Sequence, residues 1–356
     1  MVVGDPADNR VALFLQACRE ADARAEVLDY RAVLDDSELL DAIPDHTFVR
    51  LESPGRAPDL YLRLLEIGGG CPPARIPKGL ILQPDAWFRG FHSMLREIGG
   101  RLQGRVTWTA HPDDIVHLFD KPRCQATLAA AGIAVPRQLG AIRAYDELRR
   151  RMRTNEVSRV FVKLRSGSAA SGVIALRTAG DRVQAVTTVE QTESGLFNSR
   201  RIRELSTERD AAALVDALCA HQVFAEEWIP KAGLRGRTFD IRIVTVAGDP
   251  QHAVVRLSKH TMTNLHLLND RASVDELRGR MTGEAWDSLL DSCRRVARLF
   301  PRTLQLGLDV AVLPGMRSHR VLEVNAFGDL LKGVTHGGRN TYDAQLAAVQ
   351  EGWRGE

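Results

Sequence analysis

Apolar residues set the first expectations. In ADNRVALFLQACREADA, Val11, Phe14, Leu15 and Cys18 recur at helical spacing and share one face. AEVLDY, HTFVRLE and RVTWTA read as short strands, and PDAWFRGFHSMLREIGGRL as a second helix. This alternation predicts a small parallel sheet in an α/β domain over residues 1–118. From His117 the pattern changes. HLFDKPRCQATLAAAGIAVPRQ predicts an aspartate-capped helix ending at Gly132, with an extended exit through Pro136. DELRRRMR and DAAALVDALCAH read as helices, and RVFVKL, GVIALR, DRVQAVTTVE and QVFAEEWIP as strands. After Ala232-Gly233 come the strand signals TFDIRIVTVAG, HAVVRLS, LQLGLDVAVLP and HRVLEVNA, interrupted by one helix, EAWDSLLDSCRRVARLF. TYDAQLAAVQEGW predicts a last helix.

Composition narrows the classes of function. A chain of 356 residues has room for two or three domains. Its net charge of +3, from 48 basic and 45 acidic residues, argues against nucleic acid as the main partner. The five cysteines are scattered and form no CxxC pair, which argues against disulfide or zinc frameworks and for a reducing compartment. No apolar run is long enough to span a membrane, and MVVGDPADNR lacks the apolar core of a signal peptide. The sequence is therefore read as cytoplasmic, without a membrane partner. Gly68-Gly69-Gly70 is followed by Cys-Pro-Pro, which cannot open a regular phosphate-binding helix.

Candidate chemistry is concentrated late in the chain. Folding LQLGLDVAVLP onto HRVLEVNA about Met316 sets Asp309 nearly opposite Glu323. Asn325, two residues on, shares the face of Glu323 at roughly 6.5–7 Å. Three oxygen-bearing side chains between apolar flanks suit a hard divalent cation. The alternative is that Asp309 and Glu323 pair with arginines such as Arg242 or Arg256. Upstream, FVKLRSGSAASGVIAL carries a strand lysine, Lys163, before Ser166, Gly167, Ser168, Ser171 and Gly172. Lys163 precedes the glycines and the exit is a strand, so this is no P-loop. A hairpin flap over nucleotide phosphates fits better, and a long loose turn is the plainer reading. VFAEEWIP reads as a hinge strand whose peptide groups meet an adenine edge, with Phe224 or Trp228 on the ring, or as an ordinary edge strand. RTFDIRIVTV places Asp240 and Arg242 on one face, and Arg256, Lys259 and Asn264 follow. A nucleotide phosphate with its magnesium would explain these residues together.

Taken in order, K…GS-x-x-x-G, EEWI, DIR and D…E-x-N resemble the ATP-grasp superfamily, in particular its glutathione synthetase-like and ribosomal-protein glutamate ligase-like members. The resemblance covers roughly residues 118–335 and more weakly the front domain. FVKL with GSAASGV, TNLHLLN and NAFGDLL is also similar to a little-characterised bacterial ATP-grasp subfamily. It implies a preATP-grasp α/β domain (1–118), then a two-lobed α+β ATP-grasp fold with a lid (119–227) and a metal and nucleotide lobe (228–350). It implies ATP with Mg2+ or Mn2+, and a carboxylate–amine ligase acting through an acylphosphate. Small-molecule or peptide carboxylates and amines would be the substrates. A kinase of the same fold and a non-catalytic nucleotide-binding protein are the alternatives, and a homodimer stays open. Among residues, it implies Lys121 and Lys163, with Ser166, Gly167, Ser168 and Gly172, at the phosphates. Glu226, Glu227, Trp228 and Ile229 would form the adenine hinge, and Asp240 would meet the ribose. Arg242, Arg256 and Asn264 would act on the transferred phosphoryl group, with Asp309, Glu323 and Asn325 as metal ligands. Met262 stands where close ligases carry an arginine, and AFGDLLKGVTHGG replaces the usual small-residue turn. NSRRIREL, with Asn198, Arg200, Arg201 and Arg203, and His336-Gly337-Gly338 are the expected acceptor pocket, with His260 and His266 as candidate bases.

Overall fold

The computed structural model describes residues 1–355, apart from 55–56, 168–170, 181, 264–269, 328–330 and the side chain of Arg200. The first segment runs β1 (Val2–Gly4), α1 (Asn9–Glu20), β2 (Val27–Asp29), α2 (Tyr30–Asp35), β3 (Phe48–Leu51), α3 (Pro58–Ile67), α4 (Pro84–Arg101) and β4 (Thr107–Trp108). Its strands pair in the order β2-β1-β3-β4, all parallel, as the strand–helix alternation predicts. The pattern did not flag α3, although Pro58 opens it and Leu60, Leu64 and Leu65 are buried along it. At the α3–α4 contact, Gly68 and Gly90 bring backbone against backbone.

Two helices follow, α5 (Pro112–Phe119), which the pattern did not flag, and α6 (Lys121–Ala130), the aspartate-capped helix that the sequence predicts. Asp120 caps it, its side chain accepting from Arg123 N. Pro122 in the first turn of α6 has no N–H with which to continue a ladder from α5.

The middle segment contains β5 (Gln138–Ile142), α7 (Tyr145–Thr154), β6 (Arg159–Leu164), β7 (Ile174–Ala179), β8 (Arg182–Thr192), β9 (Gly195–Leu205), α8 (Glu208–Cys219) and β10 (Val223–Glu227). Its sheet is antiparallel throughout, in the order β5-β10-β6-β7-β8-β9. The last segment contains β11 (Gly233–Leu234), β12 (Arg237–Val246), β13 (Asp249–Ser258), β14 (Asp270–Ala272), α9 (Val274–Arg278), α10 (Gly283–Arg298), β15 (Gln305–Val312), β16 (His319–Asn325) and α11 (Thr341–Gln350). Its antiparallel sheet runs β14-β13-β12-β15-β16, with β11 against β12.

Packing divides the molecule differently from the sequence reading. One large core joins the front sheet to the last sheet, from Val3, Val49 and Leu95 to Ile241, Leu308 and Val324. The middle sheet has a separate core built from Leu139 to Ala225 with α7 and α8. Helix α6, expected with the lid at 119–227, instead buries Cys124 and Leu128 in the large core. Apart from Ile81, the core of the middle sheet begins at Leu139 of β5.

The α3–α4 contact gives a stability prediction. Gly90→Ala gains about 1 kcal/mol of helix propensity. Yet its Cβ would lie 1.7 Å from Leu64 O, an atom of rigid backbone. Overpacking against backbone costs more than that gain, so a net loss of about 2 kcal/mol is expected in urea unfolding.

Candidate nucleotide and metal site

Strand alternation decides which side chains enter the cleft. On β6, Val160, Val162 and Leu164 enter the lid core, so Phe161 and Lys163 take the opposite face. On β10, Val223 and Ala225 enter the same core, so Phe224 and Glu226 face with Lys163. Lys163 Nζ donates to Glu226 Oε1. In the last sheet, Phe239, Ile241 and Ile243 of β12 and Leu308 and Val310 of β15 enter the large core. Asp240, Arg242 and Asp309 are left on the other face.

Register brings the acidic residues together. Asp309 lies directly across from Glu323 on one side and Arg242 on the other, and Asp240 across from Arg256. Asn325 is paired with Gly307, and its Nδ2 donates to Gly307 O at 3.1 Å. Its Oδ1 has no hydrogen-bond partner among the described residues. The turn of this hairpin contains Met316 at φ +55°, as the sequence placed it.

Each of these acids already holds a cation. Arg242 donates to both oxygens of Asp309, to Oδ2 at 3.0 Å, and Arg256 Nη2 lies 2.9 Å from Oδ1. Thus the arginine-pairing alternative describes Asp309 correctly in the ligand-free structure. Glu323 instead bonds Lys121 Nζ, from the start of α6. Burial alone would raise Asp309, but Arg242 and Arg256 outweigh it and hold the carboxyl below its usual range. Asp240 is held low in the same way, against burial, by Arg256 and Lys231.

The two faces see each other. Burial alone would lower Lys163, yet Glu226, and beyond it Glu323 and Asp309, raise the ammonium above its ordinary value. Gln125, one turn beyond Lys121, ties the sheets directly. Its Nε2 donates to Glu226 Oε2 at 2.6 Å and to Leu322 O at 3.1 Å, while Gln138 Nε2 donates to its Oε1 at 3.1 Å. Neither Gln125 nor Lys231 was read from the sequence. Lys231 donates to Asp240 Oδ2 at 3.0 Å and to Thr263 Oγ1 at 2.7 Å. The available signal was a polar residue inside the otherwise apolar CQATLAA, and a lysine just past the hinge.

Other expected residues fall as follows. Glu227 turns away from Lys163, its N–H donating to Arg137 O at 2.8 Å and its carboxylate near Arg137 Nε at 3.5 Å. Trp228 packs on Phe161, ring centroids 5.5 Å apart. Ile229 is largely buried, and its N–H has no acceptor among the described residues. A cavity of about 860 Å³ opens there, lined by Gln125, Glu227, Ile229, Pro230, Leu313 and Arg320 among others.

Some assignments change. Asp240 is 2% exposed. Its Oδ1 is taken by Arg256 at 2.7 Å, and its Oδ2 by Lys231 and Thr263. Both of its oxygens thus anchor cations or a hydroxyl in this structure. Ser166 is buried, and its hydroxyl points 3.4 Å from Pro84 O of α4. Gly167 and Gly172 pack against Leu164, Gly172 at φ +63°. Arg165 clamps Asp120 at the start of α6, at 2.6 and 3.0 Å. Ser168, Asn264 and His266 lie outside the described residues. His260 is exposed. The acceptor residues fall on separate elements: Asn198, Arg201 and Arg203 on the outer strand β9, and His336 in a turn beside His252 of β13.

Among the described residues no group of three or more His, Cys, Asp or Glu is arranged to hold a metal ion. Two carboxylates and the Asn325 amide fit a hard cation only as a partial oxygen set. No described helix is long and apolar enough to cross a membrane.

No protein-family model and no curated protein matches the chain. Among solved structures, 98% of the chain matches the ATP-grasp ligase PsnB complexed with minimal precursor, Mg and ADP, over 96% of that chain, at 17% identity and a TM-score of 0.58. It also matches the D-cycloserine synthetase DcsG, over 98% of both chains at 14% identity and a TM-score of 0.59. A third match is the macrocyclase MdnC bound with precursor peptide MdnA from Microcystis aeruginosa, over 98% of both chains at 13% identity and a TM-score of 0.57. This chain has the ATP-grasp fold. Its middle sheet is the part that the sequence reading expects to serve as the lid.

Removing the shared guanidinium tests the electrostatics of the ATP-grasp cleft. Arg256→Met should cost about 3–5 kcal/mol at pH 7, because Asp240 and Asp309 stay buried and short of a partner. In the parent protein their depressed values keep both ionised well below pH 5, so the stability they contribute is lost only on acidification through those values. In the variant the carboxyls take up protons earlier. The deficit should therefore shrink as the pH falls from 7 to 5, measured by urea unfolding at each pH.

Proposed function

We propose that this ATP-grasp protein is an ATP- and magnesium-dependent carboxylate–amine ligase acting through an acylphosphate. One observation carries the reading: Gln125 bonds both Glu226, the partner of Lys163 on the middle sheet, and Leu322 O, next to Glu323, which lies across from Asp309, so the lysine and the acidic pair belong to adjoining faces. Oppositely charged walls on either side of a narrow gap suit a triphosphate with its cation. The orphan N–H of Ile229 and the cavity beside it suit an adenine edge.

Asp309, Glu323 and Asn325 would hold Mg2+, which supplies charge neutralisation at the transferred phosphoryl group. Lys163 and Lys121 would bind phosphate oxygens and thereby leave Glu226 and Glu323. Arg242 and Arg256, aimed by Asp309 and Asp240, would meet negative charge developing on the phosphoryl oxygens. A substrate carboxylate oxygen takes the γ-phosphoryl group and ADP departs. An amine nitrogen then bonds the acyl carbon, phosphate leaves with that oxygen, and the nitrogen loses its proton. The lid excludes water, which would otherwise hydrolyse the acylphosphate. Residues 119–227 and 228–350 serve as lid and metal lobe in this reading, with α6 fixed to the latter by its packing. Known structures of the fold include ligases bound to precursor peptides, so a peptide or a small molecule is proposed to supply the carboxylate and amine.

Glu323→Gln and Asp309→Asn should each abolish ATP turnover with the circular dichroism of the fold retained. Near-normal ADP release in either would contradict the metal assignment. Lys163→Ala should weaken nucleotide binding about 10–100-fold, the worth of a charge-assisted hydrogen bond, read by calorimetry with Mg-ADP. Mass analysis of products separates the reactions: a new amide formed in step with ADP supports the ligase, and a phosphorylated alcohol would make the protein a kinase.

A further inference from the structure

The lid core contains one residue from outside the middle segment among the described residues. Ile81, just before α4, is 6% exposed and packs with the residues of β5 to β10. It is held there by a short splice of backbone. Ile81 N–H donates to Leu196 O at 2.8 Å, and Asn198 N–H donates to Gly79 O at 2.7 Å. Between them Leu80 and Phe197 form an antiparallel bridge. Segment 79–81 therefore adds one pairing to β9, the outer edge strand of the lid. The lid spans four strand spacings from hinge strand β10 to this edge, about 19 Å. It is thus attached to the rest of the molecule at both ends.

We propose that segment 79–81 is a releasable strap: paired with β9 it holds the lid shut over the cleft, and unpaired it lets the lid swing about Glu227–Pro230. Three observations argue for release. The lid has its own core, separate from the one that unites the other two sheets. The splice is a single bridge with two hydrogen bonds, whereas neighbouring strands of the lid share long ladders. Gly79 sits at φ +86° with its missing Cβ 2.6 Å from Asn198 O, so the close approach requires glycine. The remaining described bonds between lid and α4 are at the edge of hydrogen-bonding range, Ser166 Oγ to Pro84 O at 3.4 Å and Gln222 Nε2 to Asp85 Oδ2 at 3.4 Å. Asn198, expected in the acceptor pocket, is committed here instead, its Oδ1 accepting from Thr188 Oγ1 at 2.9 Å.

The inference rests on the nucleotide reading only for its kinetic test. Leu80 and Phe197 are a non-hydrogen-bonded antiparallel pair, where Cα atoms lie about 4.5 Å apart, within disulfide reach. Leu80→Cys with Phe197→Cys, in full-length protein with the exposed Cys71 changed to Ser, should oxidise to a lock. Dissociation of a fluorescent Mg-ADP analogue should slow at least tenfold in the oxidised form and recover with dithiothreitol. Gly79→Ala, which parts the splice, should speed dissociation. A purely structural splice predicts lost stability in both and no opposed kinetics. Failure of the disulfide to form, or equal rates in oxidised and reduced protein, would overturn the strap. Should the reduced protein bind no nucleotide, the nucleotide reading fails instead. The strap is then judged by amide exchange at Asn198: slow in the parent and fast in Gly79→Ala supports it, and equal exchange refutes it.

Discussion

Everything in the cleft depends on compensation of buried charge. Glu226, Glu323, Asp309 and Asp240 each accept from at least one of Lys163, Lys121, Arg242, Arg256 and Lys231. Three of these acids, Glu226, Asp309 and Asp240, are buried and tolerable there only when paired. In the proposed reading the same cations would meet a triphosphate, so the side chains that offset buried charge would also serve binding.

That compensation is built across elements that share little backbone. Lys121 comes from a helix fixed in the large core, Lys163 and Glu226 from the lid, and Asp309 and Glu323 from the last sheet. Gln125 links the middle sheet and β16 through hydrogen bonds to the Glu226 carboxylate and to Leu322 O. A lid with its own core, tied by a hinge, a few polar contacts and a narrow splice, is an arrangement suited to opening. The front sheet, by contrast, shares its core with the last sheet and provides a fixed base.

Much of the fold was legible from the chain because strand alternation and helical spacing are local. The β15–β16 hairpin could be folded from its turn alone, and Asp309 does lie in register with Glu323. The start of α6 was also written in the residues, in the capping aspartate Asp120 followed by Pro122. Helix α3 was missed because its short apolar pattern follows directly on a strand signal.

The order of motifs by itself determined an ATP-grasp fold, the face on which each strand residue lies, and which oxygens gather at the end of the last hairpin. Those properties follow from periodicity and turn position, which act between near neighbours in sequence. Tertiary structure alone decided the partners: Glu323 with Lys121 across about two hundred residues, Asp240 with Arg256 and Lys231, α6 in the large core, and Ile81 in the core of the middle sheet. Charges and apolar side chains find partners by distance in space, and that distance exists only once the sheets have packed.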